Sequence, residues 1–205
     1  MSMRRTGSKS SALETSEARC YGAAVRLLAS REYSLVELST KLGRRFVAAA
    51  VQQVVGELHE QGTVDDERYG EAFCRSRAER GYGPMFIARE LEQNGLDKEL
   101  IETLLEPYED RWLDNAKAQV RKKTSNGHRA LGQLDNKDQE EGKGDKDLAK
   151  ECSAEQRREA WQQAQKDRAR LARFLARRGF SATIASRAIH AVLTDLSSHG
   201  STAEL

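Results

Sequence analysis

Apolar residues along this chain recur every three to four positions, and sustained alternation is scarce, so the pattern predicts an all-α protein. A first helix is expected from about Ala18 to Ser30, with Tyr21, Val25 and Leu28 on one face. "SLVE", Ser34 to Glu37, is a capping box that opens a short helix through Leu42. A third helix begins near Phe46, carries Val51, Val54, Val55 and Leu58, and stops at Gly62. The next spans about Asp66 to Arg80 and ends at Gly81. In "GYGPMFIARELEQNG", Pro84 sits at a helix start and Gly95 past its end. Asp97 caps a helix carrying Leu100, Ile101, Leu104 and Leu105, which Pro107 interrupts. A polar helix with Trp112 and Val120 continues to about Lys123.

Residues 124–152 change character. Gly, Asn, Asp and Lys are dense and apolar residues unpatterned, which reads as a disordered insertion. "SAEQ", from Ser153, is a second capping box and opens a long basic helix to Arg178, stopped by Gly179. Ser181 caps a last helix carrying Ile184, Ile189, Val192 and Leu193. Residues 197–205 read as a frayed tail.

The segments repeat. "ARELEQNGLDKELIETLL", from Ala88, aligns with "ARFLARRGFSATIASRAI", from Ala172. Leu96 meets Phe180, Asp97 meets Ser181 at the caps, Leu100 meets Ile184, and Leu105 meets Ile189. With one residue deleted, Leu42, Phe46, Val54 and Val55 meet Leu91, Leu96, Leu104 and Leu105. The turn Arg31-Glu32-Tyr33-Ser34 resembles Arg80-Gly81-Tyr82-Gly83. Units of about three short helices bury little alone and gain by packing on a neighbour. The expected organisation is a tail over 1–17, repeat one over 18–64, repeat two over 65–123, the insertion over 124–152, and repeat three over 153–196.

Composition refines this picture. Only 2 of 205 residues are proline, which favours long helices. Lys and Arg number 34 against 32 Asp and Glu, so net charge says little about partners, but its distribution says more. From Lys166 to Arg187 seven bases face a single acid, Asp167. Arg170, Arg173 and Arg177 fall at i, i+3, i+7 and form one stripe, with Arg178 beside it. Arg75, Arg77 and Arg89 make the second repeat basic as well. These seven arginines are the candidate contacts to a polyanion or an acidic protein surface.

The pattern offers no chemistry. Asp65 and Asp66 are neighbours, about 100° apart on a helix, and cannot converge on one site from a regular helix. They fit a helix N-terminus, one as cap and the other at the positive end of the dipole. Tyr69 and Phe73, at i and i+4, read as core. Cys20, Cys74 and Cys152 lack disulfide or zinc spacing. His59, His128, His190 and His199 lie near no Cys or nucleophile, and no phosphate-loop, GxSxG or HExxH motif occurs. Neither catalytic residues, nor a metal, nor a cofactor is expected. No apolar run could span a membrane. "MSMRRTGSKSSALETSE" lacks the apolar core of a signal peptide and reads as a disordered basic tail, consistent with a cytoplasmic protein.

The stretches "VDDERYGEAFCRSRAERGYGPMFIARELEQNGL", "ARLARFLARRGFS" and "LLASREYSLVELSTKL" together resemble the RecX family of bacterial regulatory proteins. The resemblance covers about residues 19–123 and 160–193. It implies three tandem three-helix modules in an elongated, curved monomer. It also implies a protein that binds the RecA–DNA filament and suppresses strand exchange, ATP hydrolysis and coprotease activity in DNA repair and the SOS response. Such proteins are not enzymes, take no cofactor, and bind single- and double-stranded DNA weakly. The 124–152 insertion departs from the compact family pattern. The residues alone leave a second reading open: a general helical nucleic-acid-binding module with no recombinase partner.

Overall fold

The computed structural model describes residues 13–131 and 146–199; the outer parts of both expected tails and the centre of the insertion lie outside them. The described residues form α1 (Glu17–Leu28), α2 (Leu35–Gly43), α3 (Ala48–Glu60), α4 (Asp66–Glu79), α5 (Pro84–Gln93) and α6 (Lys98–Leu105). A 3₁₀ turn over Glu106–Arg111 follows, then α7 (Trp112–Leu131), α8 (Lys146–Arg177) and α9 (Ala182–His199). No strand forms among the described residues; Glu14 and Phe46 make an isolated bridge, which anchors the end of the expected N-terminal tail. Two compact units result. One comprises residues up to Cys74 together with Glu90–Leu104, and the other Arg75–Arg89 with Leu105 onward.

In the first unit α1, α2 and α3 pack on one another. Their core is Cys20, Ala24, Leu38, Leu42, Phe46, Val51, Val54, Val55 and Leu58. The expected face of α1 is rotated. Cys20 and Ala24 are fully buried whereas Val25 is 43% exposed. The small pair lets α1 approach α3 closely, and a larger side chain at those positions would hold the helices apart.

The termini of α2, α4 and α5 meet in this unit, and each supplies what another lacks. A helix start has backbone donors without partners, and a helix end has such acceptors. Ser34 Oγ accepts from the Glu37 amide at 3.0 Å, closing α2 as the capping box predicts. Its hydroxyl donates to the Asn94 carbonyl at the end of α5, 2.7 Å away. Asp65 Oδ1 accepts from the Glu67 and Arg68 amides, capping α4. Asp66 departs from the expectation of a plain dipole partner. Its Oδ1 accepts from the Leu35 amide at 2.9 Å, so an acid at the start of α4 caps the start of α2. Burial pushes the Asp66 carboxyl above the usual aspartate range, against that hydrogen bond. Asp97 caps α6 as expected, accepting from the Leu100 amide at 2.8 Å.

In the second unit α7 packs on α9 and α8, and α8 on α9. Trp112, Ala116, Val120, Leu171, Leu175, Ala185, Ala188, Ile189 and Val192 are buried there. The polar helix expected to close repeat two therefore packs with the helices expected for repeat three. Its buried stripe (Trp112, Ala116, Val120) is the half of a two-sided pattern whose other half lies on α9. The helices also run further than expected: α7 to Leu131 and α8 back to Lys146. Ser153 sits inside α8 rather than capping it. No Gly or Pro interrupts Lys146 to Arg177, so nothing local stops the helix there. Past Arg177, Gly179 turns the chain with φ +83°, and Ser181 Oγ accepts from the Ile184 amide to start α9.

Candidate nucleic-acid interface

The seven candidate arginines all fall in the second unit. Arg178 sits where α8 ends. Its Nη1 donates to the carbonyls of Arg80 and Gly81, at 3.0 and 3.1 Å, satisfying the open end of α4. A cation at a helix C-terminus also suits the dipole. In return, the Gly83 amide donates to the Arg178 carbonyl at 2.7 Å, and the Met85 amide to the Gly179 carbonyl at 3.1 Å. Free donors of α5 thus meet free acceptors of α8. The repeat alignment expected from the sequence pairs Ser34 with Gly83 and Asn94 with Arg178, and in each unit the first of the pair donates to the carbonyl of the second. The donor to that carbonyl is a serine hydroxyl there and a backbone amide here, and the second junction adds the Met85 bond and the two from Arg178.

The close approach needs glycine on both sides. A Cβ on Gly83 would lie 2.5 Å from the Gly179 carbonyl oxygen, and one on Gly179 would lie 2.8 Å from Phe86 Cα. Gly95, the counterpart of Gly179, would set a Cβ 2.7 Å from Val36 Cβ.

Around this junction the structure gathers aromatic rings and cations. Tyr82 stacks on Phe86 with centroids 4.4 Å apart. The Arg178 guanidinium stands 5.3 Å from the Tyr82 centroid and 5.1 Å from that of Phe174. Arg77 is 5.8 Å from the Tyr82 ring and Lys123 Nζ is 5.7 Å from Phe174. Such contacts orient the cations without neutralising them. The sequence singled out Arg77 and Arg178 but not Tyr82, Phe86, Phe174 or Lys123. The readable signals were the spacing of Phe174 and Arg178 at i, i+4 and the tyrosine of the Gly-Tyr-Gly turn.

Arg170, Arg173 and Arg177 share one exposed face of α8, as the spacing predicts. Arg75 and Arg89 are exposed on α4 and α5, and no hydrogen bond or ring contact joins them to the α8 stripe among the described residues. None of these five is in an ion pair or hydrogen bond with a described residue. The first unit contrasts: Arg31 is held by Glu37 and Arg68 by Glu32. These hydrogen bonds raise both guanidinium groups above their usual range. Arg31 and Arg68 are thus held by acids of their own unit, whereas Arg170, Arg173 and Arg177 meet no acid among the described residues.

No cluster of three or more His, Cys, Asp or Glu able to hold a metal occurs among the described residues. Cys20 and Cys74 are buried free thiols, and burial pushes Cys74 up to about 11. No helix of the described residues is long and apolar enough to cross a membrane.

Part of the chain matches known proteins. Residues 65–105 match the family described as RecX, second three-helix domain. The chain is similar to the regulatory protein RecX of Halorhodospira halophila, 46% identical over 97 residues, covering 47% of this chain and 60% of that protein. It is 42% identical over 101 residues to the regulatory protein RecX of Stenotrophomonas maltophilia, covering 49% of this chain and 62% of that protein. The match thus spans about three fifths of the length of these relatives. The crystal structure of RecX from Lactobacillus salivarius superposes with a TM-score of 0.59 at 17% identity, over 86% of this chain and 96% of that one. At that identity the likeness is one of fold. The family match ends at residue 105, where the 3₁₀ turn begins and before α7 joins α8 and α9.

Proposed function

We propose that this chain is a member of the RecX family of regulatory proteins and a non-enzymatic modulator that binds along the RecA–DNA filament. Bound there, it restrains strand exchange, ATP hydrolysis and coprotease activity in a cytoplasmic DNA-repair response. Its helices are read as three tandem three-helix modules, α1–α3, α4–α6 and α7–α9, joined by two equivalent junctions. The observation that carries the reading is the unpaired stripe Arg170, Arg173 and Arg177 on α8, flanked by cations held against aromatic rings. A filament presents phosphate and protein at a regular repeat. A protein that makes many modest contacts to it gains affinity without a deep pocket. Arg75, Arg77 and Arg89 are the second-repeat contacts in this reading. Arg178 serves mainly to hold the junction that presents the stripe.

The same stripe would also serve a general nucleic-acid-binding module. Binding to RecA-coated and to naked single-stranded DNA across a salt series separates the two. The expected result is tighter binding to the coated strand. Reversing Arg170, Arg173 and Arg177 to Glu should lower the slope of log affinity against log salt by about 2 on single strands, since each lost phosphate contact removes ~0.7. Equal affinity for coated and naked strands at every salt concentration would refute the recombinase reading and leave the general one.

A further inference from the structure

The α8 helix has a second exposed feature that the filament reading does not use. The described side chains from Gln156 through Arg170 are all exposed, so this length of helix rests on nothing among the described residues. Within it stands Trp161, 65% exposed. No ring or cation packs on its indole among the described residues. Arg158, Gln165 and Arg168 lie at i−3, i+4 and i+7 from Trp161, on the same face, and that face carries no described acid. It continues upward the side on which Leu171 and Leu175 are buried lower down. The helix thus extends its packing face past the core and changes its content from leucine to tryptophan and arginine.

Exposing an indole to water is costly, and two cations beside it narrow what would cover it. An apolar protein groove would leave the arginines unpaired. A duplex would offer phosphates to the arginines but hide its base faces in the stack. Unpaired bases joined by phosphates offer both, a flat π-face for the indole and anions on either side of it, where Arg158 stands about one helical turn away and Arg168 about two. We propose that Trp161, Arg158 and Arg168 form a contact site for single-stranded nucleic acid, in which the indole stacks on one unpaired base and the arginines hold its flanking phosphates. What is new is the place and mode of contact, base stacking on the Trp161 face of α8 rather than phosphate contact at the Arg170, Arg173 and Arg177 stripe, and its test needs no recombinase.

The test uses the full chain and no RecA. Oligo(dT), a duplex of the same length, and inorganic polyphosphate are titrated at fixed salt, and the emission of Trp161→Phe is subtracted to remove Trp112. Oligo(dT) is expected to quench the Trp161 signal, and polyphosphate to bind without quenching it. Trp161→Ala should weaken oligo(dT) binding roughly five- to a hundredfold, the range for losing one stacked base, and leave duplex affinity unchanged. Trp161→Phe should keep most of the affinity. Unchanged oligo(dT) affinity in Trp161→Ala, or equal losses on duplex and single strand, would overturn the site. So would a shift of Trp161 emission with protein concentration alone, which would place a second copy on this face. None of these results bears on filament binding, which is read separately with RecA present.

Discussion

Gly179→Ala should break the junction between α5 and α8, and Gly62→Ala supplies the matched control. Both residues have positive φ, +83° and +66°, so alanine at either should cost roughly 1–2 kcal/mol in backbone strain. At Gly62 nothing lies within 4 Å of the added carbon, and the cost ends there. At Gly179 the carbon would sit 2.8 Å from Phe86 Cα, which is backbone and cannot swing aside. Relief requires the segments to part, which sacrifices the 2.7 Å bond from Gly83 to Arg178 and the 3.1 Å bond from Met85 to Gly179. At about 1 kcal/mol for each hydrogen bond, the total reaches about 3–4 kcal/mol. Urea unfolding followed by far-ultraviolet circular dichroism measures the two costs. Amide exchange locates them: Gly83 and Met85 should lose protection in Gly179→Ala and keep it in Gly62→Ala. If the two variants lose the same stability, or if the Gly83 and Met85 amides stay protected in Gly179→Ala, the junction is not what holds these helices.

Asp66→Ala leaves the part-buried Leu35 amide without its acceptor and should cost about 1–2 kcal/mol, whereas Asp66→Asn keeps an oxygen there and should cost less. The pH dependence has a defined sign. The carboxyl is raised in the fold, so the folded state holds that proton more tightly than the unfolded one. Relative to Asp66→Asn, the wild type should therefore lose stability as pH rises from the ordinary aspartate value through the raised one. Urea midpoints of both proteins across that window read it, and a flat difference would contradict the burial argument. Cys20 and Cys74 should resist iodoacetamide in the native state at pH 8, with Cys74 only roughly a thousandth thiolate, and react once urea unfolds the chain. Labelling of either native residue at the rate of a free thiol, read by mass spectrometry, would show that its helix opens readily.

Much of the fold was legible because local signals and burial agree. Ser34, Asp97 and Ser181 cap the helices they were expected to cap, and Gly62, Gly81, Gly95 and Gly179 all turn the chain with positive φ. The aligned glycines Gly95 and Gly179 were legible as turn positions, and each stands where an added Cβ would meet a neighbouring segment. What failed lay where the partner is distant in sequence. Nothing near Asp66 says that it caps Leu35, 31 residues away. The grouping of α7 with α9 depends on packing that no local pattern carries. Val25 looked like core because its spacing suits a helix, but small Cys20 and Ala24 take the contact. The arginine stripe was readable from spacing alone. What separates Arg178, bound to two carbonyls, from the exposed Arg170, Arg173 and Arg177 is the α4–α5 turn, about 97 residues away in sequence and invisible to local spacing.

The central claim is regulation of a recombinase through the α8 face. The direct measurement is RecA ATP hydrolysis on single-stranded DNA with this protein titrated in, beside the Arg170/Arg173/Arg177 to Glu variant. The account predicts inhibition that saturates with the wild type and needs substantially more of the variant, whose helical circular dichroism is unchanged. An ATPase rate that ignores the wild-type protein would contradict the function, and equal inhibition by the variant would contradict the role of the arginine stripe.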